Sequence, residues 1–240
     1  MCVGAPGARP FFFPRGGAKL HFPRAGGYRS LVGDDSLLKT SEQRLWSLIG
    51  ERAQSGADVA ALDRRIWDLF GEPWAVMFTD LSGFSRQVET FGILHFLQII
   101  YEHKQLLDPI LARHDGILIK TEADSLLVIF RRTASALRCA VEMQRALDDA
   151  NRHRPPETQV LLCVGIGYGE ILRIGDHDVY GQQVNAASKL GEDTAKATEV
   201  LLTRAARDNA GPLWTEVPWT CEPLEIEVAG SSENFRLRYR

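Results

Sequence analysis

Apolar positions in this chain alternate between helical spacing and short continuous runs, and each change of period marks an element. Near the start, Leu37, Leu38, Leu45, Trp46, Leu48 and Ile49 fall close to helical spacing. Gly56 interrupts the pattern, Asp58 is placed to cap a second helix, and Val59, Leu62, Ile66, Leu69 and Phe70 share one face before Gly71 and Pro73 end it. Residues 35–72 therefore predict a helical hairpin. Its apolar stripe, with Trp46 and Trp67, is expected to pack on the main domain; a dimerisation or signal-relay role is the functional alternative.

The main domain is expected to span residues 73–240. WAVMFTD, from Trp74, reads as a buried strand that delivers Asp80 to its end, followed by a Ser-Gly turn. A long helical region runs from Phe84 to His114. GILIK and SLLVIF then form a hairpin with Asp124 near its tip. Residues 133–152 read as a helix with Ala136, Ala140, Met143 and Leu147 inward, VLLCVGIGYGEIL as a strand, and VNAASKLGEDTA as another helix. Val200–Thr203 and the 213–240 segment add short strands. The order β-α-β-β-α-β predicts an α/β (α+β) fold, a ferredoxin-like core with a mostly antiparallel sheet behind an N-terminal helical extension.

Composition narrows the picture by exclusion. With 240 residues, 45% hydrophobic and 25% charged, the chain has globular proportions and room for one core with an appendage. Its 28 basic and 31 acidic residues give a net charge of −3, so no global basic field favours nucleic acid or an anionic membrane. The charge is uneven: residues 1–33 carry Arg9, Arg15, Lys19, Arg24 and Arg29 and no acid, which leaves −8 for the remainder. This leader, residues 1–34, matches a disordered tail, an over-long start or a transit peptide alike, and no function is assigned to it. Phe11–Phe13 is too short for a signal or membrane core, so no membrane insertion is expected. Cys2, Cys139, Cys163 and Cys221 lack metal-ligand spacing and read as reduced residues of a cytoplasmic protein. His95, His103 and His114 are expected at surface or helix-end positions, and Trp214 and Trp219 are expected to cover the sheet.

The candidate chemistry starts from two acids. In a ferredoxin-like sheet the first strand and the central hairpin are neighbours, so the Asp80 and Asp124 carboxylates can converge, and convergent carboxylates need a cation. Hard oxygen ligands with room for phosphate suit Mg²⁺ or Mn²⁺ rather than Zn²⁺. The turn of Ser82, Gly83 and Phe84 leads into a helix whose free amides can receive phosphate oxygens.

FTDLSGFS, IKTEADSLLVIF, VGIGYGEIL and DVYGQQVNAASKL, in this order and with the acids 44 positions apart, resemble the catalytic domain of class III nucleotidyl cyclases over roughly residues 74–210. The resemblance implies that Asp80 and Asp124, with the Leu81 carbonyl, hold two divalent cations. It implies that Lys120 and Asp178 read the base, that Asn185 orients the ribose, and that Lys189 stands where the family usually has a transition-state Arg. It further implies conversion of ATP to 3′,5′-cyclic AMP and pyrophosphate in a head-to-tail homodimer. There the acids of one protomer meet Lys120, Asp178, Asn185 and Lys189 of the other. Lys120 can donate to a ring nitrogen and Asp178 can accept from an exocyclic amine, the pairing that adenine presents and guanine does not.

Three positions depart from the family pattern. Lys189 lacks the planar fork of Arg, the AGSSENF loop offers no phosphate-binding lysine, and Ala123 replaces a Gly, a change the turn accommodates if φ stays negative. A cyclase-like nucleotide-binding module without turnover, or a cyclase acting on another nucleotide, is the alternative.

Overall fold

The computed structural model describes residues 40–82 and 91–240. The leader, Leu37, Leu38, Gly83 and Phe84 lie outside the described residues. Two helices come first, α1 (Ser41–Arg52) and α2 (Val59–Phe70), the second capped by the Asp58 side chain, which accepts from the Ala61 N–H at 3.0 Å. Strand β1 follows without a break at Gly71 and runs to Leu81, three residues ahead of the expected start. Pro73 is tolerated there because pairing with the neighbouring strand Ser125–Phe130 begins only at Ala75, so its missing N–H removes no bond on that side.

The remaining order is α3 (Ile93–Arg113), β2 (Ile117–Glu122), β3 (Ser125–Phe130), α4 (Thr133–Asn151), β4 (Leu162–Ile174), β5 (Asp178–Tyr180), α5 (Gln182–Ser188), β6 (Val200–Thr203), α6 (Arg204–Asn209), α7 (Leu213–Glu216), β7 (Thr220–Leu224) and β8 (Asn234–Arg238). The strands form one sheet in the order β2-β3-β1-β4-β6-β8-β7, with β5 paired to β4. The β4–β6 pair is parallel and the other pairs are antiparallel, as the β-α-β-β-α-β reading predicts.

Both faces of the sheet are covered, which is why its central strands read as continuous apolar runs. Along β1 the period of two is strict: Ala75, Met77 and Leu81 enter the core under α3 and α4, while Trp74, Val76 and Phe78 face the opposite cluster with Ile119, Ile129 and Ala187. Asp80 continues the second face. A third cluster joins Leu45, Leu48, Ile66 and Phe70 of the hairpin to Ile174, with Leu172 and Tyr180 against it. The hairpin thus docks through Leu, Ile and Phe, whereas Trp46 and Trp67, expected to pack, are exposed.

α5 lies directly on the sheet because β4 carries no side chains beneath it. A Cβ on Gly165 would come 2.1 Å from the Ala187 carbonyl oxygen and 2.4 Å from the Gly191 nitrogen; one on Gly167 would come 2.6 Å from the Gln183 carbonyl oxygen. Close approach also corrects the helix expected over VNAASKLGEDTA. α5 ends at Ser188, and Lys189–Thr194 is a widened π turn. In it Gly191 sits so close to β1 that a Cβ would be 2.7 Å from the Phe78 carbonyl oxygen.

One further expectation is revised. His103 is not at the surface: it is buried, its Nε2 has no hydrogen-bond partner among the described residues, and burial pushes its pKa down to about 4. The free thiols of Cys139 and Cys163 are buried, and burial pushes both up to about 12. Trp219 is buried in the main core, as expected. Among the described residues no helix is long and apolar enough to cross a membrane.

The glycine face carries a direct test. Gly165→Ala drives a methyl group into backbone on two sides, and we expect it to cost about 3 kcal/mol of unfolding free energy in urea titration. An unchanged midpoint would mean that α5 is free to lift off β4.

Candidate active site

The sheet register builds the acid pair. β1 and β3 are last paired at Thr79↔Leu126, so Asp80 comes level with Ser125, and Asp124 is the residue before it in the hairpin turn. Ser125 Oγ donates to Asp80 Oδ1 at 3.0 Å, and the nearby Leu81 backbone works to lower the pKa of both carboxylates. Burial pushes Asp80 above the usual carboxylate range. Asp124 is pushed up to about 6, first by burial and then by the charge of Asp80. Among the described residues neither acid pairs with a Lys, Arg or His, and no cluster of three or more His, Cys, Asp or Glu side chains is arranged as a metal site. A buried and a half-buried carboxylate that repel each other, with no counter-charge among the described residues, fit a hard divalent cation, with the remaining coordination left for substrate oxygens.

The turn that presents Asp124 has a backbone cost. Ala123 has φ 50, so the condition of a negative φ, under which the turn accommodates Ala in place of Gly, is not met. Positive φ at the first central residue alone is the pattern of a type II′ turn, where Gly is preferred because a Cβ is strained. Ser82 also departs from its expected role: its N–H donates to the Leu161 carbonyl at 2.8 Å and so is not free for phosphate.

The proposed base readers meet across the β2 and β5 edges. Lys120 Nζ donates to Asp178 Oδ2 at 2.6 Å. A bulge between Leu118 and Lys120 shifts the β2 register just before this lysine. Asp178 Oδ1 accepts from the Val179 N–H at 2.9 Å, and Tyr180 Oη donates to Oδ2 at 3.0 Å.

Asn185 is exposed on α5. Lys189, one turn further on, donates to Asp193 Oδ2 at 2.6 Å within the π turn. The same turn flanks the acids of its own chain. The charge of Asp193 contributes to raising Asp80, and that of Glu192 to raising Asp124. Gln183 fixes the start of α5: its Oε1 accepts from the Tyr168 N–H at 3.2 Å and from Thr203 Oγ1 at 3.0 Å, and its Nε2 donates to the Gly230 carbonyl at 3.1 Å.

Ser125, Tyr180, Gln183 and Asp193 are site residues that sequence reasoning missed. Two carried a signal: Tyr180 is two residues from Asp178 on a strand and shares its face, and Asp193 is four residues after Lys189, the spacing of a helical ion pair. Nothing local points to Gln183, whose partners come from β4, β6 and the 230 loop.

The raised Asp124 pKa sets a sign for stability. A folded-state value near 6 against an ordinary 3.8 means that the cation-free protein loses stability as pH rises from about 4 to about 6. Asp124→Asn should therefore exceed the wild type at pH 7.5 by up to about 3 kcal/mol without cation. Comparing the two proteins cancels the buried His103, which acts oppositely, with stability falling as pH drops from 6.5 toward 4. Mn²⁺ should raise the melting temperature of the wild type and not of Asp124→Asn. Equal melting curves for both proteins across pH 4–8 would contradict the buried acid pair.

Comparison with known proteins agrees with this fold. The crystal structure of an adenylate/guanylate cyclase/hydrolase from Silicibacter pomeroyi superposes with a TM-score of 0.58 at 25% identity, over 70% of this chain and 95% of that one. A Rhizobium meliloti protein named "Putative adenylate cyclase 3" is 31% identical over 116 residues, 48% of this chain and 20% of its own length. The serine/threonine-protein kinase pkn2 of Myxococcus xanthus is 30% identical over 166 residues, 68% of this chain and 19% of its own length. The chain thus spans about a fifth of the length of these two relatives. Residues 71–230 match the adenylate and guanylate cyclase catalytic domain, and with two thirds of its length inside that match the chain belongs to the class III nucleotidyl cyclase family.

Proposed function

We propose that this chain is an adenylate cyclase that converts ATP to 3′,5′-cyclic AMP and pyrophosphate at sites shared across a homodimer. The observation that carries the choice of base is the Lys120–Asp178 pair, a fixed donor beside a fixed acceptor at 2.6 Å. Adenine offers a ring nitrogen to the first and an exocyclic amine to the second. Guanine sets donor against donor and acceptor against acceptor, a mismatch of several kcal/mol in a desolvated site.

In the reaction the ribose 3′-oxygen bonds to the α-phosphorus as the bond to the pyrophosphate oxygen breaks. Asp80 and Asp124, with the Leu81 carbonyl, would hold Mg²⁺ or Mn²⁺, which supply acidification of the 3′-hydroxyl and neutralisation of the triphosphate. Asn185 holds the ribose so that the hydroxyl lies in line with the α-phosphorus. Lys189 brings positive charge to the phosphate as charge shifts to the leaving group. Gly83 and Phe84 are assigned to phosphate binding in the same proposal.

Sharing between protomers follows from the spacing of roles: Lys120 and Asp124 are four residues apart on one hairpin, yet one reads the base and the other holds the phosphate end. One nucleotide cannot span both from a single chain. In the same proposal residues 73–240 form the catalytic domain, 35–72 a helical extension and 1–34 a leader, and the buried free thiols suit a cytoplasmic setting. A second reading, a nucleotide-binding module of low turnover, is favoured by one observation: Lys189 is engaged by Asp193 and is a lysine rather than an arginine.

Two measurements separate these readings. Inactive Asp80→Asn protein mixed with inactive Asn185→Ala protein should recover up to about a quarter of wild-type activity, because a heterodimer gathers both lesions in one site and leaves the other whole. No recovery despite demonstrated subunit exchange would sink the shared site. Lys189→Arg should raise kcat about tenfold with a smaller change in KM, since a bidentate contact acts on the barrier. An unchanged kcat would show that phosphate contact at this position does not limit turnover.

A further inference from the structure

Asp178 is held by more than Lys120, and the additional contact leads away from the site. An ionised carboxylate has about four acceptor positions. Among the described residues three are occupied: Oδ2 accepts from Lys120 Nζ and Tyr180 Oη, and Oδ1 accepts from the Val179 N–H. One position, on Oδ1, is left for a base. Adenine needs one, for its exocyclic amine. Guanine presents two adjacent donors, its ring N–H and its exocyclic amine, and a carboxylate with one open position on each oxygen would take both. The Tyr180 hydroxyl closes the second position.

Tyr180 also belongs to a different part of the molecule. Its ring packs against the cluster of Leu45, Leu48, Ile66, Phe70 and Ile174, which docks the α1–α2 hairpin on β4 and β5. Burial, and then the hydrogen bond to Asp178 and its charge, push the phenol up to about 12, with Glu42 of α1 adding to the rise, so the hydroxyl remains a donor throughout the working range of pH.

Taking Lys120 and Asp178 as the base readers proposed above, we infer that Tyr180 is a positioning residue that sets base selectivity by fixing the Asp178 carboxylate, and that the α1–α2 hairpin holds Tyr180 in place. The hairpin is then a structural input to substrate choice: whatever loosens its docking loosens the rotation of Asp178.

The test uses the full chain and compares the wild type with Tyr180→Phe, Asp178→Ala, Leu48→Ala and the Tyr180→Phe/Leu48→Ala double variant. The readouts are the ATP:GTP ratio of kcat/KM and equilibrium binding of the α,β-methylene analogues of ATP and GTP. Tyr180→Phe keeps the packed ring and removes only the hydroxyl. It should lower the ATP:GTP ratio about tenfold, through weaker ATP-analogue binding and stronger GTP-analogue binding, with kcat for ATP changed much less. Leu48→Ala should move the ratio the same way and add little in the double variant. If Asp178→Ala collapses the ratio while a folded Tyr180→Phe leaves it unchanged, Tyr180 does not position the acid. If Asp178→Ala itself leaves the ratio unchanged, the base-reading assignment falls first. A Leu48→Ala protein with wild-type selectivity beside an altered Tyr180→Phe would overturn the link to the hairpin.

Discussion

The arrangement of the site depends on the register of β1 between β3 and β4. Eleven consecutive pairs, from Gly71↔Leu172 to Leu81↔Leu162, lock β1 to β4, and five more lock it to β3. A slip of one residue would turn Asp80 to the other face of the sheet and Met77 out of the core. The same register sets Phe78 opposite Gly165, so that the bare stretch of β4 lies where Gly191 and Ala187 come down upon it. Acid, hairpin tip and α5 are therefore placed by a single set of backbone bonds.

Charge is distributed over this frame unevenly. Lys120 is matched by Asp178, and Lys189 by Asp193. Among the described residues Asp80 and Asp124 are not matched by a base, and Glu192 and Asp193 add negative potential beside them. Such an excess disfavours the empty protein and favours a cation, which explains why the site can be costly and still be kept. The ion pairs are each about a third exposed, so their worth lies in orientation rather than in stability.

Much of this was legible from the chain, for reasons that differ by residue. The position of Asp80 could be read because a strand buried on both faces leaves an apolar run that ends at the acid. Asp58 could be read as a cap from its place alone. Lys189 misled, because the continuation of its helix depends on how near Gly191 lies to Phe78, a long-range distance with no local signature. His103 misled for the same kind of reason, since its burial is decided by what α4 and the sheet place against α3. The φ of Ala123 could not be read from the residue type, because the two-residue turn imposes the left-handed conformation. Trp46 and Trp67 were assigned to packing by their bulk; the hairpin uses Leu48 and Phe70 in that place, which a periodicity shared by both sets could not separate.

The hairpin turn has a consequence for dynamics. Ala123 sits in a conformation that costs a non-glycine residue roughly 1 kcal/mol or more, and the next residue, Asp124, is buried beside a like charge. Two adjacent residues thus carry local costs at one tip of an otherwise stiff sheet, where backbone opening should be cheapest and amide exchange fastest. A ligand that satisfies Asp124 offsets the second cost and damps that motion. The tip then becomes ordered as the site fills, and the free energy of ligation is spent partly on making the sheet's softest corner as rigid as its centre.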